Sequence, residues 1–376
     1  MRIEKDLLAE LEDLKKRRLF RDLPVLSNNH LDFSSNDYLG LTQHPSVCKK
    51  TIEAVRRYGS GSGASRLISG NLKIHMELEQ KLARFKKEEA SLVFSSGYLA
   101  NLGAITSLVD ERDVVILDRL NHASLVDAAR LSRAKFWVYP HKDVTALREI
   151  LARAKHFRRR LVVTDAYFSM DGDVAPLDEI LSVCGKTDSL LMVDEAHSTG
   201  VFGKRGRGLT ERFGLEGKIP VVMGTLSKAL ASSGGFVAGK SVLIKTLVNR
   251  AHEFIYTTAP VPAASAAALA SLEWIEKNPG KLKDFWGLIH ETRLCLKDAG
   301  FNLMESEGPI IPIFIGNTKK TLKVRDFLKK KGILVSAVRP PTVPKNTDRL
   351  RISLKATHTR AQIEQLTGAL CQAKIL

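Results

Sequence analysis

A lysine that follows an apolar run, with hydroxyls one and three residues earlier, can form a Schiff base with an aldehyde and help to hold a phosphate. Residues Gly224-Thr225-Leu226-Ser227-Lys228 have that spacing and lead into Gly234-Gly235. Alone, the segment reads as a solvated loop. Its meaning changes with Val193-Asp194-Glu195-Ala196-His197 upstream, because an acid at one strand end and a lysine at a later one suit a pyridoxal phosphate site. That cofactor needs an amine for its aldehyde, a carboxylate to keep its pyridine nitrogen protonated, and N–H and hydroxyl donors for its phosphate.

Other segments supply the remaining groups. Ser95-Ser96-Gly97-Tyr98 precedes a helical pattern from Leu99 to Leu108, so Gly97 and Tyr98 are expected to offer N–H groups to a phosphate, although the same residues would make an ordinary helix cap. Thr225 and Ser227 can add hydroxyls. Asp194 closes an apolar run, and a buried lone carboxylate needs a cation. A pyridinium would serve: at an effective dielectric near 20 a close pair of unit charges is worth about 4 kcal/mol. His197 could then reach the ring's phenolic oxygen, the bland alternative being that Asp194 and His197 cap the next helix. His122, in Asp118-Arg119-Leu120-Asn121-His122-Ala123-Ser124, could stack on the ring, and Ser169 ends a further strand.

These groups need a scaffold that brings them to one edge. Seven short apolar runs recur through the middle of the chain, over 91–94, 114–117, 136–139, 161–164, 190–193, 221–223 and 235–238, with helix-length stretches between most of them. Continuous apolarity predicts strands buried on both faces, hence an α/β fold with a mostly parallel seven-stranded sheet flanked by helices. The last two runs are too close for a crossover, so one is expected to be antiparallel. In such sheets ligands sit at the carboxyl ends of the strands. A charged amphipathic helix over 3–19 begins an N-terminal arm, residues 1–40. A large domain, 41–270, and a smaller C-terminal α+β domain, 271–376, complete the expected organisation. The small domain has strands near 311–315, 333–338 and 350–354 and helices near 320–331 and 359–374; an Ala-rich helix over 263–276 precedes them.

The 376 residues are 44% apolar, as expected of a globular chain. No stretch reaches the length of a membrane span and the N-terminus is charged, which points to the cytosol. Cys48, Cys184, Cys295 and Cys371 lack metal-ligand spacing and are expected as free thiols. The net charge is +17, and the densest basic runs are Lys15-Lys16-Arg17-Arg18, Arg158-Arg159-Arg160 and Lys329-Lys330-Lys331. Without interleaved aromatics these read as solvated surface, then as attraction to an acidic carrier of substrate, and last as nucleic-acid binding. No metal and no nucleic-acid partner is expected.

The strings Ser34-Ser35-Asn36-Asp37-Tyr38-Leu39-Gly40-Leu41, Arg119 to Ser124, Phe168-Ser169-Met170-Asp171-Gly172-Asp173, Asp194 to His197, Thr225 to Lys228 and Arg339-Pro340-Pro341-Thr342-Val343-Pro344 resemble the α-oxoamine synthase family of fold-type I pyridoxal phosphate enzymes, nearly end to end. The resemblance implies Lys228 as the Schiff-base lysine and Asp194 on the pyridine nitrogen. It implies His122 stacked on the ring, and Ser169 and His197 near the phenolic oxygen. Gly97, Tyr98 and Thr225 would hold the phosphate. Arg351 would pair with the amino-acid carboxylate with Asn36 nearby, Arg339 and Thr342 would contact substrate, and Arg21, with Arg17 and Arg18 close by, would serve the acyl side. The segment from Arg339 to Pro344 marks the branch that condenses L-alanine with a pimeloyl thioester, carried by coenzyme A or an acyl carrier protein; siblings that use glycine are the alternative, and a non-catalytic binding scaffold is the alternative of another class. Members are homodimers, with Thr257 or Thr258 reaching the neighbour's phosphate. Asp165 stands where relatives usually carry glutamate, and Ser198 and Ala231 where glycine is usual.

Overall fold

The computed structural model describes residues 2–23, 25 and 30–374. Its two compact units are Asp37–Ser169 with Asp173–Asp284, and Met1–Asn36 with Met170–Gly172 and Phe285–Leu376.

The larger unit is built on seven strands: β1 (Ala90–Phe94), β2 (Val114–Asp118), β3 (Lys135–Tyr139), β4 (Arg160–Asp165), β5 (Leu190–Asp194), β6 (Val221–Thr225) and β7 (Gly235–Gly239). Their order across the sheet is β1-β7-β6-β5-β4-β2-β3, and β7 is antiparallel to both of its neighbours while the other pairs are parallel. The nine residues between β6 and β7 are too few for a crossover helix, which forces this reversal. Six carboxyl ends and the start of β7 therefore share one edge. The register is tight there: Asp165 lies opposite Asp194, Asp194 opposite Met223, and Gly235 opposite both Thr225 and Phe94.

β2 and β4 to β7 are buried on both faces apart from half-buried first residues, as their β-branched runs require. β3 departs from the expectation. It is one of the sheet's two edge strands, and Phe136 and Val138 stay 37% and 42% exposed. Helices cover the sheet, among them Gly97–Leu108 and Ala123–Leu131, whose apolar side chains join one core with Leu117, Val163, Met192 and Val237. The Ala-rich helix spans Pro262–Lys277 and packs on Pro45–Tyr58 and Lys73–Lys86, two helices absent from the sequence reading.

The smaller unit holds an antiparallel sheet of β8 (Ile310–Phe314), β9 (Ser336–Val338) and β10 (Arg349–Ser353), with β10 in the middle. The apolar run over 333–338 divides: Ile333–Leu334 pairs in parallel with Leu31–Asp32, and only Ser336–Val338 joins β10. The helices Thr318–Lys330 and Arg360–Ala373 lie where expected, and the long helix Pro279–Asp298 was not foreseen. The first helix, Arg2–Lys16, stops short of residue 19, with Arg18 at a φ of +59° beyond its end.

The basic run Arg158-Arg159-Arg160 is at the surface, with Arg158 and Arg159 exposed and Arg160 half-buried, but its donors are engaged. Arg158 pairs with Asp110 at 2.8 Å and Asp113 at 2.6 Å, Arg159 donates to Leu108 O at 2.7 Å, and Arg160 donates to Asp188 O at 3.0 Å. Among the described residues, no helix is long and apolar enough to cross a membrane.

Glu195, wholly buried next to Asp194, is held by Lys86 Nζ and by Thr210, whose N–H donates at 2.8 Å and hydroxyl at 3.1 Å. Lys86 also donates to Arg207 O. Lys86→Met leaves that carboxylate without its cation, so urea unfolding is expected to show a loss of about 3–5 kcal/mol.

Candidate active site

β5 ends at Asp194, which is 4% exposed. Its Oδ1 accepts from Ala196 N at 2.8 Å and its Oδ2 from Asn101 Nδ2 at 2.8 Å. The first bond is the local turn foreseen as the alternative to a cofactor role. The second comes from the middle of the helix Gly97–Leu108, where Asn101 is 1% exposed. The other Nδ2 hydrogen of Asn101 reaches Ser124 Oγ at 2.9 Å, and Ser124 Oγ lies 2.8 Å from His122 Nδ1.

The backbone N–H of Ser124 also donates to His122 Nδ1 at 3.3 Å, so this nitrogen is an acceptor and the ring's hydrogen sits on Nε2. Asn101, Ser124 and His122 thus form one directed chain beside Asp194. His122 doubles as the N-cap of the helix Ala123–Leu131. Burial pushes its pKa down, with the Lys228 charge pushing the same way and Asp194 pushing back. A ring kept neutral in this way suits stacking on a planar cofactor.

Asp165, opposite Asp194, accepts the His122 backbone N–H at 2.8 Å through Oδ2. Burial, and next the charge of Asp194, hold its carboxyl well above the ordinary range, with Lys228 opposing. Charge is therefore disfavoured at Asp165. The shorter side chain still reaches the loop that carries His122.

The half-buried Lys228 follows β6 by three residues, in a turn closed by Leu226 N to Gly234 O at 2.9 Å and Ala231 N to Lys228 O at 2.9 Å. Ala231 has a φ of +50°, a left-handed conformation in which glycine would be unstrained. His197 Nδ1 lies 2.7 Å from the hydroxyl of the fully buried Tyr38. Ser198 is buried and donates to Glu195 O at 3.4 Å. Ser169 is half-buried after β4.

The segment after β1 opens the helix Gly97–Leu108, with Ser96 Oγ accepting from Leu99 N at 3.1 Å. The first-turn N–H groups of Gly97 and Tyr98 have no carbonyl within the helix to bond and point out of its N-terminus. The Tyr98 hydroxyl itself donates to Asp127. A Cβ on Gly97 would stand 3.3 Å from Thr225 Oγ1, and one on Gly235 would stand 2.5 Å from Gly97 Cα. This cradle of backbone amides and hydroxyls fits the phosphate of pyridoxal phosphate. Thr225 Oγ1 donates to Gly234 O at 3.0 Å and lies 2.8 Å from the exposed Ser227 hydroxyl. A phosphate there competes with Gly234 for Thr225 and finds Ser227 beside it. Thr258 forms an isolated bridge with Ser65.

In the smaller unit, Arg351 is buried and its Nη2 donates to Asn36 Oδ1 at 3.0 Å. Arg339 Nη2 donates to Phe20 O at 2.9 Å, and Arg21 Nη2 lies 3.3 Å from Thr342 Oγ1. Arg17 instead pairs with Asp13 at 2.9 Å. Arg18, Arg21, Arg325, Lys329 and Arg339 line a cavity of about 590 Å³. Asp22 and Asp326 line the same cavity, and Arg325 pairs with Asp326 at 2.6 Å. Burial, then the charges of Arg325 and Arg21, lower the pKa of Arg339.

Asn101, Ser124 and Tyr38 were not singled out from the sequence. Asn101 carries a signal in retrospect: it is the one amide in the apolar segment Leu99-Ala100-Asn101-Leu102-Gly103-Ala104-Ile105.

Residues 28–370 match the family described as aminotransferase class I and II. An 8-amino-7-oxononanoate synthase of Geobacter sulfurreducens is 43% identical over 381 residues, which cover 98% of this chain and 97% of that one. Among solved structures, a serine palmitoyltransferase from S. paucimobilis with bound PLP–myriocin aldimine is 31% identical with a TM-score of 0.92, covering 98% of this chain and 97% of that one. An 8-amino-7-oxononanoate synthase from Francisella tularensis is 27% identical with a TM-score of 0.81, covering 93% and 99%.

The close approach at Gly235 gives a direct test of the phosphate cradle. In Gly235→Ala the added methyl meets backbone that cannot turn aside, so the affinity for pyridoxal phosphate, followed by absorbance titration, is expected to fall about ten-fold or more, with about 1–3 kcal/mol lost in urea unfolding.

Proposed function

Because the chain belongs to the class I and II aminotransferase family, we propose that it is a pyridoxal phosphate-dependent acyltransferase, an 8-amino-7-oxononanoate synthase of biotin biosynthesis. It would join L-alanine to a pimeloyl thioester and release carbon dioxide and the free carrier. The observation that carries the reading is the meeting of Asp194, His122 and Lys228 at one sheet edge, with Lys228's charge acting on His122 and Asp165. The 43% identity to the Geobacter sulfurreducens synthase supports the product assignment.

Pyridoxal phosphate, when bound, supplies an electron sink for the pair left behind when the amino acid's α-proton departs. The chain's own residues do the rest. Lys228 would be the amine that holds the cofactor through its aldehyde and the base for the substrate's α-proton. Asp194 would face the pyridine nitrogen and keep its proton in place. His122, neutral and fixed by Ser124, would lie against the ring. Ser169 and His197 would serve the phenolic oxygen, with Tyr38 fixing the His197 ring. Gly97, Tyr98 and Thr225 would hold the phosphate.

Arg351 would pair with the carboxylate of alanine, Asn36 steadying its guanidinium through the bond described above. Arg339 and Thr342 would contact substrate, and Arg21 would serve the acyl donor. The donor carrier is coenzyme A or an acyl carrier protein, and the +17 charge suits an acidic carrier. The working form is a cytosolic homodimer, in which Thr257 or Thr258 of one protomer serves the phosphate site of its partner.

The higher TM-score of the serine palmitoyltransferase favours, as a second reading, a sibling synthase with another amino acid. One assay decides: turnover with alanine, glycine or serine, each with pimeloyl thioester. Alanine is expected to dominate, and a preference for glycine or serine would transfer the chain to the sibling group. Lys228→Ala is expected to abolish the visible absorbance of bound cofactor and to lower turnover by about 10²–10⁴-fold or more. Wild-type turnover in that variant would overturn the mechanism.

A further inference from the structure

One buried cluster on the larger unit takes no part in the chemistry above. His141 follows the edge strand β3. Its Nδ1 lies 2.9 Å from Asp118 Oδ1 and its Nε2 lies 2.9 Å from Asp173 Oδ2. Both carboxylates are almost sealed from water, Asp118 at 2% and Asp173 at 5% exposure. A neutral imidazole has a single N–H and cannot donate to two carboxylates at once. The geometry calls for a ring with hydrogens on both nitrogens.

The cluster joins three loops. Asp118 closes β2, and its Oδ1 also accepts from Leu120 N at 2.8 Å, so it shapes the segment Arg119-Leu120-Asn121 that delivers His122. Its Oδ2 accepts from Lys142 N at 2.9 Å, which fixes the loop of His141 itself. Asp173 lies in the turn after β4 that carries Ser169, where Phe168 N donates to Asp173 O at 3.0 Å. The Phe168 ring meets His141 edge-on, with centroids 4.4 Å apart. The charged groups facing His141 are thus Asp118, Asp173 and Lys142, whose Nζ is 2.6 Å from Asp173 Oδ2. Two anions meet two cations.

We propose that His141 is a positioning residue for the reaction: by bridging Asp118 and Asp173 it fixes together the loop that presents His122 and the turn that presents Ser169. The assignment rests on the reading of His122 and Ser169 as cofactor contacts given above. Backbone pairing between β2 and β4 stops at Leu117 and Val163, and the bonds of Asn121 and His122 tie their loop only as far as Val163 and Asp165; His141 extends the tie to Asp173, in the turn beyond.

The protonation state has a pH consequence. Burial pushes the imidazole down, but the two carboxylates outweigh it and lift the pKa to about 9. Burial pushes Asp173 up, while His141 and Lys142 outweigh that and hold it below the ordinary range. The folded value for His141 lies above the unfolded value of about 6.5. Its contribution is therefore complete below about pH 6.5 and is lost as pH rises through about 9.

The test uses the full-length holoenzyme and His141→Gln, with Asp118→Asn/His141→Gln to remove the carboxylate that loses its cation, since Asp173 keeps Lys142. A misplaced ring contact affects the chemical step more than substrate capture, so His141→Gln at pH 7.5 is expected to lower kcat about ten-fold or more while KM for the amino acid moves less than about two-fold. The pH midpoint of the bound cofactor's visible spectrum should shift as well, since Ser169 faces the phenolic oxygen. The double variant should regain thermal stability without regaining kcat.

If either variant loses only thermal stability and keeps the wild-type kcat and spectrum, His141 is a structural ion pair and the proposal falls. Should both fail to fold, the wild-type holoenzyme carries the test in a pH series. Protection of amides 166–173, corrected for the intrinsic base-catalysed rise of exchange with pH, and the cofactor spectrum should then change together near pH 9. Corrected protection that stays flat through that range overturns the proposal. Failure here is separable from failure of the functional reading: normal turnover in His141→Gln beside an inactive Lys228→Ala removes only this proposal, whereas a wild-type protein that binds no pyridoxal phosphate removes the reading beneath it.

Discussion

Asp194 is a carboxylate placed almost out of water at the end of the fifth of seven sheet strands, and much of the larger unit is arranged to make that tolerable. A lone buried anion is costly, so its oxygens are met by Ala196 N and by the Asn101 amide. Asn101 in turn needs an acceptor for its second hydrogen and finds it in Ser124. Ser124 then fixes the tautomer of His122. One desolvated carboxylate thus accounts for an asparagine in the middle of an apolar helix and a serine at the start of another, while burial keeps the histidine beside them neutral against the pull of Asp194. Its neighbour Glu195 poses the same problem, and Lys86 with Thr210 answers it.

How far this could be read in advance differs by residue. The seven apolar runs located the sheet, and the short link before Gly235 announced the reversed strand, because strand burial and loop length follow from local pattern. β3 shows the limit of that logic, since an edge strand and a central one can carry the same apolar residues. Lys228, Asp194, His122 and Gly97 were visible as chemical types after strands. Asn101, Tyr38 and His141 were not, since their meaning lies in partners 93, 159 and 32 residues away in sequence. Two helices between residues 45 and 86 also escaped notice, masked by polar faces on an amphipathic pattern.

In the smaller unit the basic residues divide in a way that net charge conceals. Arg351 is committed to Asn36, and Arg349 to Asp171 at 2.5 Å. Arg18, Arg21, Arg325, Lys329 and Arg339 gather on one cavity with Asp22 and Asp326, where Arg325 pairs with Asp326. The arginines of 158–160 spend their donors on carboxylates and carbonyl oxygens of the larger unit. An excess of +17 is thus partly structural and partly held in one place, which a solvated coat of lysines would not give.

The reversal of β7 also bears on the lysine. Because β7 starts where β6 ends, the nine residues between them leave and re-enter the sheet at the same edge, pinned by the bonds of Leu226 to Gly234 and Ser232 to Leu226. Lys228 is therefore tethered on both sides by a short closed loop. In the proposed reaction its amine would stay at the edge after releasing a partner and act as a reactant of high effective molarity, on a scale that well-oriented intramolecular groups take to about 10⁵ M and beyond. A free amine in solution would have to be present at concentrations no solvent can hold.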